Sequence, residues 1–162
     1  MKVAICADIH DNEAYLEMFL AWCGAHSTEA ILVCGDITSA ATLKLFNASG
    51  LPVYLIRGNA ELFEDSVFKK FVNLHYLGRY GCVELGGKKI GLCHEPRYID
   101  RLLGESPDII FHGHTHKPWI EERDAIAIIN PGTLGGVFTP STFAFWDTAK
   151  PLPELKQTAR LS

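Results

Sequence analysis

The chain has 162 residues, 48% of them hydrophobic and 21% charged, and a formal net charge of -4. That length suits one domain with a sizeable core, and it needs no staples to fold. The acidic balance, with no basic run longer than Lys69-Lys70 and Lys88-Lys89, argues against a duplex nucleic-acid binder, whose affinity rests mostly on phosphate neutralisation.

In chain order, Lys2 to Ala7 reads as a first strand. Asp11 or Asn12 can cap a helix running to about Ala25, with Leu16, Phe19, Leu20 and Cys23 on one face. A second strand covers Ala30 to Cys34. Thr38 or Ser39 starts a short helix that Gly50 stops. A third strand follows Pro52, and a helix is expected over about Leu62 to Phe71. This alternation of strand and helix implies parallel strands joined by crossovers.

The second half changes character. Gly81 to Leu85 and Lys88 to Cys93 flank Gly86-Gly87 and predict a β-hairpin. A short helix, Pro96 to Leu103, precedes a strand from Asp108 to Phe111. Runs at Pro118 to Glu121 and Ala125 to Ile129 flank a turn, and Thr142 to Trp146 alternates as a strand. From 148 to 162 the chain has Pro151, Pro153 and few apolar residues, so a loosely structured tail is expected after a core of 1–147. The sum is a single-domain α/β fold with two sheets.

Five apolar runs end in residues that bind metal well. The first runs into Asp8 and His10, the second into Gly35-Asp36, and the third through Arg57 into Gly58-Asn59. The fourth meets His94, and the fifth meets His112-Gly113-His114-Thr115-His116. Loops leaving the carboxyl ends of strands in an open α/β sheet gather around one crevice. Asp8 and His10, like His114 and His116, are spaced i, i+2, which puts both side chains on one face of an extended segment. The set Asp8, His10, Asp36, Asn59, His94, His114 and His116 is too large for one tetrahedral zinc and contains no thiolate. It suits two ions of the Mn, Fe, Ni, Co or Zn type sharing a carboxylate.

Five cysteines with no CxxC read as reduced thiols, three of them inside apolar runs. The amino terminus enters a strand at once and no apolar stretch reaches the ~18 residues of a span. A cytoplasmic protein with no membrane association is expected.

Asp8-Ile9-His10, Gly35-Asp36, Gly58-Asn59, His94 and Gly113-His114-Thr115-His116 resemble the calcineurin-like metallophosphoesterase superfamily, and the short chain resembles its small bacterial and archaeal phosphodiesterase branch. Vps29, a retromer subunit, is a relative in that branch. The likeness spans about Met1 to Asp147. It implies a two-sheet αββα sandwich. One metal is implied on Asp8, His10, Asp36 and His116, and a second on Asp36, Asn59, His94 and His114, with Asp36 bridging. These seven residues would carry catalysis. The implied activity is hydrolysis of a small phosphodiester by a hydroxide between two divalent ions, Mn²⁺ being expected and Ni²⁺, Zn²⁺, Fe²⁺ or Co²⁺ able to replace it. The alternatives are a phosphomonoesterase and a non-catalytic scaffold for protein partners.

Two positions depart from the family pattern. Gly58-Asn59 continues as Ala60-Glu61 where many members have His-Glu, so no side chain there protonates a leaving group. Glu95 follows His94 where Gly is common, and its charge is expected to favour monoanionic diesters over dianionic monoesters. Arg57, Glu95 and Arg97 are the candidate substrate contacts, a guanidinium being suited to phosphate. Asn130-Pro131-Gly132-Thr133 and Glu61 are expected behind the ligands. His112 is expected to point away from them. Trp119, Phe138, Phe143 and Trp146 are read as sheet packing that also permits a homodimer.

Overall fold

The computed structural model describes residues 1–160. Its first half places β1 (Lys2–Cys6), α1 (Glu13–Ala25), β2 (Ala30–Val33), α2 (Ala40–Ala48), β3 (Val53–Leu55) and β4 (Leu74–Tyr76) in succession. The second half places β5 (Tyr80–Leu85), β6 (Lys88–Cys93), α3 (Ile99–Leu103), β7 (Ile109–Phe111), β8 (Trp119–Arg123), β9 (Ile126–Asn130), β10 (Thr142–Asp147) and β11 (Glu154–Gln157). One sheet runs β11-β10-β1-β2-β3-β4 and the other β5-β6-β7-β9-β8.

Three apolar layers hold the sheets. Side chains alternate faces along a strand, so β1 and β2 serve two layers at once. Val3 and Ile5, with Ala30 and Leu32, face the second sheet and pack with Ile90, Leu92, Ile109, Phe111 and Trp146. Ala4 and Cys6, with Ile31 and Val33, face outward and pack with Leu16, Phe19 and Cys23 of α1 and Leu43 and Phe46 of α2. The outer face of the second sheet carries a third cluster, where Ile99 and Leu102 of α3 cover Cys93, Ile110 and Ile128. Strands buried on both faces read as unbroken apolar runs, which is why β1, β2 and β7 are legible in the sequence. Helix α1 begins as expected, with the Asn12 side chain accepting from the Tyr15 N–H.

Three expectations are corrected. The helix over 62–71 is only a 3₁₀ segment, Asp65–Lys70, in which Phe68 alone is buried; one apolar anchor cannot pay for a longer helix by packing. Strand β4 has no predicted counterpart. It is three residues long with only Leu74 buried, so it carries no alternating pattern. The segment expected to be a loose tail docks instead: β11 pairs antiparallel with β10, and Thr158 is buried with its hydroxyl 2.7 Å from Ser141 Oγ. β11 is an edge strand, so its sequence is polar. Residues 161–162 of that tail lie outside the described residues. Among the aromatics read as sheet packing, Phe143 and Trp146 are buried, whereas Trp119 and Phe138 are exposed. Among the described residues, no helix is long and apolar enough to cross a membrane.

Candidate metal centre

The loops after β1, β2, β3, β6 and β7 converge, and their backbones interlock. The Asp8 N–H donates to Gly35 O at 3.1 Å, and those of Ile9 and His10 donate to Asp36 O at 2.9 and 3.0 Å. The segment after β9 joins them: the Leu134 and Gly135 N–H groups donate to Ala7 O and Asp8 O. Asp8, His10, Asp36, His114 and His116 all have positive φ, between 46° and 73°. Left-handed backbone costs a non-glycine residue on the order of 1–3 kcal/mol and persists where surrounding contacts over-determine it. Here that strain gathers on the loops that carry the candidate ligands.

Asp8, His10, Asp36 and His116 each offer one donor atom, all within 4.8 Å of one another. His116 Nε2 is 3.4 Å from Asp8 Oδ1 and 3.2 Å from His10 Nε2, while His10 Nε2 is 3.8 Å from Asp36 Oδ2. A second group lies beside it. His94 Nε2 is 3.2 Å from the same Asp36 Oδ2 and 3.0 Å from Asn59 Oδ1, which in turn is 2.9 Å from His114 Nδ1. One oxygen, Asp36 Oδ2, therefore faces both groups. The seven residues singled out from the sequence thus come together in two sets that share Asp36.

These donors fit divalent ions. Two ligand atoms each about 2.1 Å from one ion stand about 3.0–3.4 Å apart, which matches most of these separations; His10 sits somewhat wider. His94 Nδ1 lies 2.8 Å from Cys34 O, which can only accept, so this nitrogen carries a proton and Nε2 is the atom that would meet an ion. Asp8 is fully buried. Burial pushes its carboxyl up to about 7, against the opposing pull of His94 and the His114 N–H. A cation among these donors would offset that penalty. Burial also acts on Asp36, but the hydrogen bond and charge of His94, the Ala60 N–H and His10 hold its carboxyl below the usual range.

The surrounding residues fix this arrangement. The His114 N–H donates to both Asp8 carboxylate oxygens, at 3.2 and 3.1 Å, and the Ala60 N–H donates to Asp36 Oδ1 at 2.9 Å. Asn130 Nδ2 donates to Gly113 O and Thr115 Oγ1, both at 2.9 Å, bracing the loop that carries His114 and His116. Thr133 Oγ1 donates to Asp8 O at 2.8 Å. Glu61 is buried and accepts the Ile37 N–H, beside Asp36. His112 bonds Gly113 O and contributes nothing to either set of donors.

The substrate-binding expectations fare differently. The Arg57 guanidinium donates to Phe63 O and Asp65 Oδ1, both at 2.7 Å, and to Glu61 O at 3.1 Å. These bonds brace the 61–65 loop. Glu95 Oε1 accepts from Arg97 Nη2 at 2.7 Å. That pairing weakens the repulsion Glu95 can exert on a phosphate. Two features escaped the sequence reading, the Cys34 carbonyl behind His94 and the exposed ring of Phe138 beside His116. Neither has a sequence signal, since a backbone carbonyl has no residue identity and Phe138 stands outside every motif.

Gly35 and Gly58 meet beneath the donors. A Cβ on Gly35 (φ +83) would stand 2.7 Å from Gly58 N, and one on Gly58 would strike Asp36 Oδ1. Gly58→Ala is therefore expected to displace Asp36, to cost about 1–3 kcal/mol as other overpacking does, and to weaken metal binding. Thermal melts with and without Mn²⁺ check this. An unchanged melting temperature in both would show that the loop tolerates the methyl group.

A domain profile of the calcineurin-like phosphoesterase superfamily matches residues 1–150. The chain is 24% identical to a phosphodiesterase of Methanocaldococcus jannaschii over 93% of its length and 95% of that protein's. It is 27% identical to a probable metallophosphoesterase of Methanothermobacter thermautotrophicus, covering 82% of this chain and 77% of the relative. Among solved structures it resembles an archaeal phosphodiesterase, with a TM-score of 0.86, 24% identity and coverage of 97% and 99% of the two chains. It also resembles vacuolar protein sorting 29 of Cryptosporidium parvum, with a TM-score of 0.69, 19% identity and coverage of 96% and 95%.

Proposed function

The chain belongs to the calcineurin-like phosphoesterase superfamily, and from that premise we propose that it is a phosphodiesterase holding two divalent ions and acting on a small phosphoester. The observation that carries the proposal is the pair of donor sets meeting at Asp36 Oδ2. The M. jannaschii relative, which bears the name phosphodiesterase, supports the diester over the monoester. Asp8, His10, Asp36 and His116 would hold one ion, and Asp36, Asn59, His94 and His114 the other. Mn²⁺ is proposed for both, because hard oxygens and imidazoles without thiolate suit it; Ni²⁺, Zn²⁺, Fe²⁺ and Co²⁺ fit the same set. When bound, such ions supply Lewis-acid charge for the phosphoryl group and lower the pKa of water toward neutrality.

The residues of the chain do the rest. Asp8, Asp36 and His94 form a buried floor, while Asn59 and His114 are exposed at the mouth, so a phosphate enters from solvent. Ala60, next to Asn59, offers no proton, so the leaving group must depart on its own acidity. A net charge of -4 gives a long nucleic-acid strand little to hold, which leaves small esters. Five free cysteines, four of them buried, support a reducing, cytoplasmic setting. The likeness to Vps29 supports a second reading as a scaffold for protein partners, and a complete set of seven donors favours catalysis over it.

The test is hydrolysis of bis-p-nitrophenyl phosphate beside p-nitrophenyl phosphate by EDTA-stripped protein, with and without Mn²⁺. Mn²⁺-dependent cleavage of the diester over the monoester is expected. The reverse preference would make the protein a phosphomonoesterase. No cleavage with Mn²⁺, Ni²⁺, Co²⁺ or Zn²⁺ would favour the scaffold. In the same assay Ala60→His should raise turnover on alkyl leaving groups, and no rise would remove the leaving-group argument.

A further inference from the structure

Phe138 is 96% exposed and has φ +64, a left-handed conformation uncommon for a bulky side chain. Its loop is nonetheless tied down on both sides. Asn12 Nδ2 donates to Gly135 O at 2.9 Å, and Thr139 Oγ1 donates to His116 O at 2.8 Å. The second of these bonds fastens the residue after Phe138 to the backbone of a metal-ligand candidate. The Phe138 and His116 rings are near-parallel, 24° apart, with centroids at 6.2 Å. His116 turns its Nε2 toward Asp8 and His10. A pinned loop thus holds a benzyl ring in water beside the donor atoms, and folding gains nothing from burying it.

We propose that Phe138 is a stacking platform for the planar organic group of the substrate, so that the site takes phosphoesters carrying a nucleobase or an aryl ring. This rests on the phosphoester reading above. A phosphate seated at the donor sets would leave its organic substituent at the rim, where the open face of Phe138 offers a π-surface. Base–aromatic stacking is sequence-tolerant and substantial, so one well-placed ring suffices. A stable protein interface needs about 800 Å² per side, more than one exposed ring beside a metal-ligand candidate supplies. The absence of any long basic run restricts the ligand to a short nucleotide or a single aryl ester.

The experiment compares adenosine 5′-monophosphate with ribose 5-phosphate binding to the Mn²⁺-loaded protein by titration calorimetry. Adenosine 5′-monophosphate is expected to bind about tenfold tighter, within the range that base stacking supplies. Phe138→Ala should erase that preference without changing ribose 5-phosphate affinity, and Phe138→Trp should keep it. Equal affinity of the parent for both ligands, or a preference that survives in Phe138→Ala, overturns the platform alone. Failure of both ligands to bind overturns the platform, and the phosphoester reading falls with it only if bis-p-nitrophenyl phosphate also goes uncleaved.

Discussion

Asp36→Asn is expected to lower metal-dependent turnover by about a hundred- to a thousandfold, the scale seen when one preorganised electrostatic contact to a transition state is lost. The amide can still accept the Ala60 N–H through its oxygen, so the β2 loop keeps its anchor. What disappears is the negative charge on the one oxygen that faces both donor sets, 3.2 Å from His94 Nε2 and 3.8 Å from His10 Nε2. Metal content should therefore fall from two ions per chain to one or none. His10→Ala, by contrast, touches only one set and should lose one ion. Turnover within tenfold of the parent at full metal content would show that Asp36 does not join the two sites.

Removing the metals should also loosen the fold. A ligand present at about a hundred times its dissociation constant stabilises by about 2.7 kcal/mol. Two such ions contribute about 5 kcal/mol, and a domain of this size shifts by about 2–4 °C per kcal/mol. The EDTA-stripped protein is thus expected to melt about 10–20 °C below the Mn²⁺-loaded form. The physical source is local. Asp8 is fully buried, and burial raises its carboxyl to about 7, so without a cation the folded state carries either an ill-solvated anion or a proton. Five of the candidate ligands also hold left-handed backbone that metal coordination would help to offset. Scanning calorimetry in EDTA and in Mn²⁺ measures the difference; coincident melts would mean that the donors are preorganised without metal.

The sequence by itself determined the two-sheet α/β architecture and singled out the seven candidate donors that the fold brings together. Both are written in residue identity and local order. A strand buried on two faces must be apolar throughout, as Val3 to Cys6 and Ile109 to Phe111 are. A hard-metal site must use carboxylate, amide and imidazole, and these sit where the apolar runs end. Three things were decided only by tertiary structure. The edge strands β4 and β11 exist because a neighbouring strand supplies their hydrogen bonds, and an edge shows no hydrophobic period of its own. Arg57 looks like a phosphate ligand in sequence, but Phe63 O, Asp65 and Glu61 O fold back upon it and take three of its five N–H donors. Phe138 looked like packing, since an exposed and a buried phenylalanine are the same letter; its exposure follows from a loop pinned to His116 and Asn12 by contacts 23 and 123 residues apart in the chain.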